Sequence, residues 1–219
     1  PFVSGNVSLH NQSGERAIPP SPMVLCAGVL RAVETAVGQG LRQPGDFLVL
    51  VGEPRDDLGG SAFVREVLGG DGGAPPALDL ALEARLQELA VIAAEERWVR
   101  AAHDVSCGGL AIALAEMLLA APGGRELGIE ADLSVLEVET AAALFSERPG
   151  IVFAVSPERS SGLFQWAREH ALPAWPVGVV RAGAGLRLRL AEGLAEWPAA
   201  RLREAAARPL ERLWNEEPE

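Results

Sequence analysis

The chain has 219 residues, 48% of them hydrophobic, and a formal net charge of −11, which is typical of a globular protein of one or two domains. All 19 basic residues are arginine, so the sequence offers no P-loop lysine or Schiff-base lysine. The negative charge argues against a nucleic-acid-binding module. The sequence shows neither a signal peptide nor an apolar run long enough to span a membrane. Two cysteines, Cys26 and Cys107, are too few for a disulfide framework or a zinc site, so we expect a cytoplasmic protein.

The first 42 residues precede the clearest boundary in the chain. In residues 1–10, apolar Val3 and Val7 alternate with polar side chains, which predicts a strand. Residues 11–16 have the composition of a turn, and residues 18–37 give no clear secondary structure. The boundary is the Gln-Pro-Gly-Asp segment at residues 43–46.

Beyond that boundary, predicted strands and helices alternate. This order favours a sheet covered by helices, in the α/β or α+β class. In chain order we predict a buried strand (47–51), a polar turn (56–61), a helix (62–68), a Gly- and Pro-rich linker (69–76), helices (78–99 and 110–121), a strand (129–133), a helix (138–145), a strand (151–155), a helix (160–170), two strands (176–180 and 186–190) and a C-terminal helix that contains Leu202 and Leu213.

The first candidate site is the polar face of the predicted N-terminal strand. Asn6 and Ser8 offer neutral oxygen atoms, which suit a phosphate, an amide substrate or Mg²⁺. Gly5 has no side chain, so a ligand can approach its backbone closely. The alternative is a half-exposed edge strand with a solvated polar face, and chemistry alone leaves both interpretations open.

The second candidate is the segment from His103 to Gly109. His103 suits a general base, Asp104 suits a magnesium ligand, and the glycine pair before a helix suits a phosphate. In the structural alternative, His103 and Asp104 point to opposite faces of a strand, while Asp104 or Ser106 caps the helix.

Other polar segments favour structural interpretations. Residues 56–61 (Asp-Asp-Leu-Gly-Gly-Ser) lack the P-loop lysine and are predicted to form a turn before a helix. Residues 146–150, which include Glu147 and Arg148, are predicted to form a connecting loop, with ligand contact as the alternative. Neither cysteine has an evident histidine partner, and His10 and His170 are predicted to have surface or capping roles.

Several motifs together carry a family resemblance. Residues 1–11 and 18–22, followed by residues 44–46, 58–61, 103–110 and 144–147, resemble the phosphoribosylformylglycinamidine synthase family, large subunit. The first motif is specific to that family. The later motifs also occur in aminoimidazole ribonucleotide synthetase, selenophosphate synthetase and a hydrogenase maturation protein.

The resemblance implies how the chain is divided into domains. Residues 1–43 would be the truncated tail of an N-terminal-type, ATP-binding domain in the second of two repeats. Residues 44–219 would form a complete C-terminal-type α/β sandwich domain. The chain also lacks an initiating Met, and we expect it to be the C-terminal part of a longer protein.

The resemblance further implies an ATP-dependent carbon–nitrogen ligase of purine biosynthesis. Such an enzyme converts formylglycinamide ribonucleotide, ATP and ammonia from glutamine into formylglycinamidine ribonucleotide, ADP and phosphate, with Mg²⁺ as cofactor. By motif, Gly5 would contact ATP through its backbone, Asn6 would ligate Mg²⁺ and Ser8 would contact the substrate. No catalytic residue is assigned to this chain, because the family's catalytic residues lie in its N-terminal half. His103, Ser146 and Glu147 would belong to a degenerate duplicated site, and the chain alone is expected to be inactive.

The implied partners are the N-terminal remainder of the synthase, a glutaminase subunit and a small accessory subunit, besides the small-molecule substrate. Neither nucleic acid nor a membrane is expected. The sequence departs from the family at His10, Gln12 and Cys107, where Tyr, Glu and an acidic residue are usual. Two alternatives stay open: a non-catalytic nucleotide-binding or scaffolding fragment, and another member of the same superfamily.

Overall fold

The computed structural model describes residues 3–7, 11–18, 22–30, 32–70, 72–124 and 126–215. The chain divides into two compact units, Pro1–Val33 and Glu34–Glu219. The second unit contains the sheet and all six α-helices that the structure describes.

The first unit contains one small hairpin. Strand β1 (Gln12–Ser13) pairs antiparallel with β2 (Arg16–Ala17), and Gly14 adopts a positive φ of +60° in the turn between them, so the predicted turn is confirmed. The strand predicted for residues 1–10 is wrong for residues 3–7, which form irregular backbone, and residues 8–10 lie outside the described part. A strand needs a hydrogen-bonded neighbour, and no described segment pairs with residues 3–7.

The second unit is built on a seven-stranded sheet with the strand order β4-β6-β3-β7-β5-β8-β9. Neighbouring strands are antiparallel except β5 and β8, which are parallel. The strands are β3 (Phe47–Gly52), β4 (Val99–Val105), β5 (Leu127–Asp132), β6 (Gly150–Val155), β7 (Ala174–Ala182), β8 (Gly185–Leu190) and β9 (Gly193–Pro198).

Six α-helices accompany this sheet. They are α1 (Ala62–Glu66), α2 (Leu80–Glu95), α3 (Gly109–Leu119), α4 (Thr140–Phe145), α5 (Ser160–Glu169) and α6 (Ala199–Asn215). Local caps explain where α1 and α2 begin. The hydroxyl of Ser61 accepts a hydrogen bond from the Val64 amide at 3.3 Å. The carboxylate of Asp79 accepts one from the Leu82 amide at 3.0 Å.

Strand β3 is buried on both faces of the sheet. Leu48 and Leu50 join a core that includes residues of α3, α4 and the start of α6, whereas Val49 and Val51 join a second core with residues of α2 and α5. Because both faces of the sheet are covered at β3, the sequence of this strand is a continuous apolar run instead of an alternation of apolar and polar residues. The predicted class, a sheet covered by helices, is confirmed.

The half of the sheet formed by β5, β8 and β9 is different, because one of its faces carries exposed charges. Glu130 of β5 and Arg187 of β8 alternate with buried apolar residues. Arg181 pairs with Glu130 at 3.0 Å, and Arg187 pairs with Glu196 at 2.8 Å. Opposite charges on adjacent strands stabilise the pairing while that face stays hydrated.

The end of one helix and two strands differ from the sequence-based expectation. The helix predicted for residues 78–99 ends at Glu95, because Arg97 adopts a left-handed φ of +55° and the Trp98 amide donates back to the carbonyl oxygen of Ala93 at 2.9 Å. Val99 instead begins β4, which was not predicted as a strand. Strand β9 was also not predicted.

Candidate functional site

The predicted ligand stretch is only partly described. Gly5 and Asn6 lie exposed in irregular backbone of the first unit, whereas Ser8 lies outside the described residues. A Cβ built on Gly5 would meet no atom within 4 Å, so the backbone there leaves room for a ligand. The roles of Gly5, Asn6 and Ser8 stay predictions.

The described residues do not form a magnesium site by themselves. Asn6 offers one amide oxygen of suitable chemistry, but Mg²⁺ requires about six oxygen ligands. Nowhere in the described ranges are three His, Cys, Asp or Glu side chains grouped so that they could hold a metal ion. The other ligands of an Asn6-bound ion would have to come from outside the described part of the chain.

Three of the motif segments meet at one carboxylate in the second unit. Oε1 of Glu147 accepts a hydrogen bond from the Ala62 amide at 2.7 Å and another from the Gly108 amide at 2.8 Å. Ala62 is the first residue of α1, and Gly108 is the residue before α3. We call this arrangement of Glu147 with the two amides the Glu147 junction. It satisfies backbone donors at the starts of two helices that would otherwise lack partners.

Glycine is required at the junction for steric reasons. Gly109 adopts a φ of +72°, and a Cβ on it would lie 2.6 Å from the Cα of Phe145. Gly108 has a φ of +84°, and a Cβ there would lie 2.5 Å from the side chain of Ile112. The glycine pair therefore lets the start of α3 approach the end of α4, where the rings of Phe63 and Phe145 stack with centroids 4.7 Å apart.

The junction corrects two expectations about residues 103–109 and 146–150. Gly108 is the N-cap of α3 and has no side-chain cap, so neither Asp104 nor Ser106 caps that helix. The distant Glu147 carboxylate supplies the acceptor instead, so the loop of residues 146–150 does more than connect α4 to β6.

Arg148, next to Glu147, forms ion pairs with two carboxylates of the loop that follows β3. Its guanidinium lies 2.8 Å from Glu53 and 3.5 Å from Asp57. Hydrogen bonds from Arg55 and then from Arg148 hold the pKa of Glu53 below its ordinary value. Near this cluster is a small cavity of ≈ 30 Å³, lined by Ser146, Arg148 and apolar side chains. A cavity of that size holds about one or two water molecules and excludes a nucleotide.

His103 is a packed side chain rather than an open general base. Its Nδ1 lies 2.7 Å from the carbonyl oxygen of Asp104. Its Nε2 lies 2.9 Å from Oε2 of Glu116, without the alignment of a hydrogen bond. Nδ1 also lies 3.4 Å from Oδ1 of Asp104, and only 8% of the His103 side chain is exposed, against 72% for Asp104, so the histidine is turned away from solvent.

The remaining predicted structural roles are confirmed where the structure describes them. Oδ1 of Asp56 accepts a hydrogen bond from the Glu139 amide at 2.7 Å, just before α4 begins. His170 follows α5, stacks on Trp166 and bonds through Nδ1 to the Trp166 carbonyl oxygen at 2.9 Å. Cys26 and Cys107 are both free and exposed. His10 lies outside the described residues.

A family comparison gives the class of protein to which this sheet and its glycine loops belong. Residues 43–191 match the family described as AIR synthase related protein, C-terminal domain, and the chain belongs to that family. The expected membership of the aminoimidazole ribonucleotide synthetase superfamily is thereby confirmed.

Within that class, the chain is similar to phosphoribosylformylglycinamidine synthase subunit PurL. It is 38% identical to the Thermus thermophilus protein over 211 residues, which cover 96% of this chain and 28% of that protein. It is 37% identical to the protein of a Thermoanaerobacter species over 181 residues, or 82% of this chain and 24% of that one. The chain thus spans about a quarter of the length of these curated relatives.

Solved structures agree with the sequence comparison. The structure of T. maritima PurL complexed with FGAR superposes with a TM-score of 0.63 and 26% identity, over 78% of this chain and 30% of that one. The resemblance indicated by the motifs is therefore confirmed at the level of family and fold. No described helix has the length and apolar character that crossing a membrane requires.

Proposed function

We propose that the chain is the C-terminal part of an ATP-dependent ligase that makes formylglycinamidine ribonucleotide in purine biosynthesis. The observation that carries this proposal is the 38% identity to a PurL over 96% of the chain. The T. maritima relative has been solved with ATP, with FGAR and within a PurLQS assembly, which supports the same substrates and a multi-subunit complex for this chain.

In the proposed reaction, formylglycinamide ribonucleotide reacts with ammonia, and ATP is converted to ADP and phosphate. Transfer of the γ-phosphoryl group to the amide oxygen turns that oxygen into a leaving group, and ammonia then displaces it as phosphate. Electrostatic stabilisation of the transferring phosphoryl group would come from Mg²⁺. The described residues do not complete a site for that ion, so its remaining ligands would come from the rest of the synthase.

Within this reaction the N-terminal segment would bind ligands. Gly5 would contact ATP through its backbone, Asn6 would supply one amide oxygen to Mg²⁺, and Ser8 would contact the ribonucleotide. The open space around Gly5 and the exposure of Asn6 support this assignment. Residues 1–43 would then be the tail of an ATP-binding domain and residues 44–219 a C-terminal-type domain. The family match, which begins at residue 43, supports that second boundary.

The proposed partners follow from the proposed function. They are the N-terminal remainder of the synthase, a glutaminase subunit that delivers ammonia and a small accessory subunit, acting together in the cytoplasm. The catalytic residues would lie in the N-terminal remainder, so we expect the 219-residue chain alone to show no turnover.

The test begins with the mass and reading frame of the native polypeptide. That polypeptide is then assayed with formylglycinamide ribonucleotide, ATP, Mg²⁺ and ammonia, beside its Asn6→Ala variant. Loss of a ligand oxygen should lower kcat by at least roughly tenfold and raise the Mg²⁺ concentration needed for the half-maximal rate. Gln12→Ala is the matched control, because Gln12 is an exposed amide in the same unit and its side chain donates to the nearby Gly14 carbonyl oxygen.

Two outcomes would contradict parts of the proposal. Equal kcat and equal Mg²⁺ dependence for Asn6→Ala and Gln12→Ala would remove Asn6 from the metal site. A native polypeptide that starts near Pro1, binds ATP and never turns over with any partner would replace the ligase with a nucleotide-binding or scaffolding module.

A further inference from the structure

Two buried polar atoms without a partner belong to residues that line the same small cavity. Oγ of Ser146 and Nε of Arg148 are both shielded from solvent, and neither has a hydrogen-bond partner among the described residues. Both residues line the cavity of ≈ 30 Å³ beside the loop that follows β3. Because an unpaired buried polar group destabilises a fold, most such groups in proteins bond to other protein groups or to ordered water. The two atoms therefore indicate a ligand in the cavity that bonds to both.

The local backbone explains why these two side chains share the cavity. Ser146 follows α4 with an extended backbone (φ −64°, ψ 127°). Arg148 precedes Pro149, and a residue before proline also favours extended backbone. In an extended segment, side chains two residues apart point to the same side, and the side chain between them points to the other. Ser146 and Arg148 accordingly line the cavity, while the Glu147 carboxylate lies in the Glu147 junction.

The charges beside the cavity favour a neutral ligand. The Arg148 guanidinium lies 2.8 Å from Glu53 and 3.5 Å from Asp57, so its positive charge already has two carboxylate partners. A further anion would be repelled by those carboxylates, and a cation would be repelled by the guanidinium. Nε–H of Arg148 can only donate a hydrogen bond, whereas the Ser146 hydroxyl can donate or accept one. The ligand must therefore accept at least one hydrogen bond.

The size of the cavity restricts the ligand further. A volume of ≈ 30 Å³ accommodates one or two water-sized molecules. Much of the lining is apolar and includes Leu50, Val105 and Leu110, so a ligand with many polar groups would lose hydrogen bonds there. An internal water has two to four polar partners, and Ser146 and Arg148 supply two of them.

We propose that the cavity is a binding site for a water molecule, which accepts a hydrogen bond from Nε–H of Arg148 and bonds to the Ser146 hydroxyl. This water connects the end of α4 to an arginine that is paired with the loop after β3. It also bonds to the residues on both sides of Glu147, and thus supports the position of the Glu147 carboxylate. The proposal concerns only the second unit of the chain and does not rest on the synthase activity.

The first experiment is a double-mutant cycle on the full 219-residue chain, built from Ser146→Ala and Arg148→Lys. Arg148→Lys keeps the positive charge and removes Nε–H. Oγ of Ser146 and Nε of Arg148 form no hydrogen bond with each other, so a bridging water is the link that either substitution breaks. The Tm loss of the double variant should therefore be smaller than the sum of the two single losses, by at least roughly 2 °C. Additive losses would overturn the proposal.

Ser160→Ala provides the matched control for this cycle. Ser160 is at the start of α5, its hydroxyl donates to the Pro157 carbonyl oxygen at 2.9 Å, and it does not line the cavity. Its Tm loss should add to that of Arg148→Lys within about 1 °C. A deviation from additivity as large as that of Ser146→Ala would mean that Arg148→Lys acts on the whole fold, and the evidence for a bridge would fail.

A crystal structure of the wild-type chain identifies the ligand directly, and it keeps the proposal testable if a variant does not fold. High-resolution density should show a peak about 2.9 Å from both Oγ of Ser146 and Nε of Arg148. Crystals soaked in bromide should give no anomalous signal at that peak. Absence of the peak would overturn the proposal. A bromide signal there would also overturn it, because the site would then bind an anion.

Discussion

Asp46, which directly precedes β3, is completely buried and forms an ion pair with Arg100 of β4 across the intervening strand β6. Arg100 lies at the register irregularity between Val99 and Ala101, and such irregularities redirect a side chain from its regular position. One carboxylate oxygen of Asp46 has no hydrogen-bond partner among the described residues. Burial raises the pKa of Asp46, and the charge and hydrogen bond of Arg100 act in the opposite direction.

The raised pKa of Asp46 predicts a particular pH dependence of stability. Between the ordinary value of 3.8 and the raised value, the folded state binds the Asp46 proton more tightly than the unfolded state does. The contribution of Asp46 therefore becomes more favourable as the pH falls through that window and less favourable as the pH rises. Urea unfolding at several pH values between 7 and 4 would measure it. The free energy of unfolding of wild type minus that of Asp46→Asn should increase as the pH falls. A decrease would mean that Arg100 outweighs burial.

The close contact at Gly109 predicts a costly substitution with a well-matched control. Gly109 and Gly123 have nearly equal positive φ values, +72° and +71°. A Cβ on Gly123 would meet nothing within 4 Å, whereas one on Gly109 would overlap the backbone at Phe145. Gly123→Ala should cost about 1 kcal/mol, from the left-handed conformation alone. Gly109→Ala should cost at least about 3 kcal/mol, because the backbone must also move. Chemical denaturation checks both values, and equal costs would contradict the packing argument.

The ion pairs of Arg148 and Arg187 differ in how deeply the arginine side chain is buried. The Arg148 side chain is 11% exposed and contacts Glu53 and Asp57, whereas the Arg187 side chain is 52% exposed and contacts Glu196. Arg148→Gln should therefore lower the free energy of unfolding by about 2 kcal/mol, since Asp57 loses the Arg148 guanidinium and Glu53 is left with the exposed Arg55. Arg187→Gln should cost less than about 1 kcal/mol, and 1 M NaCl should remove most of that cost. Comparable losses at both positions would contradict the role of burial.

Periodicity and composition predicted most of the second unit because most of its elements have regular apolar patterns. β3, β6 and α3 are continuous or periodic apolar runs. The end of α2 was missed because the left-handed position that stops it is Arg97, where glycine would be the usual signal. β9 was missed because five of its six residues are exposed, so it has no buried face that an apolar pattern could reveal.

The candidate site was predictable only where local sequence carries its own signal. Residue type and family resemblance point to the stretch around Gly5 and Asn6, whose ligand roles stay predictions. The partners of Glu147 could not be predicted, because the junction joins residues 62, 108 and 147, whose proximity depends on the completed fold. The pairing of Asp46 with Arg100 depends in the same way on the order of the strands.

The strand order also has a consequence for synthesis on the ribosome. β3 precedes its two neighbours in the sheet, β6 and β7, which are translated only with residues 150–155 and 174–182. Until then, a segment that is apolar on both faces has no native hydrogen-bonding partner, and contacts between such distant residues form slowly. During synthesis this apolar segment therefore stays unpaired until β6 has been translated, and exposed apolar segments of this kind favour aggregation and chaperone binding.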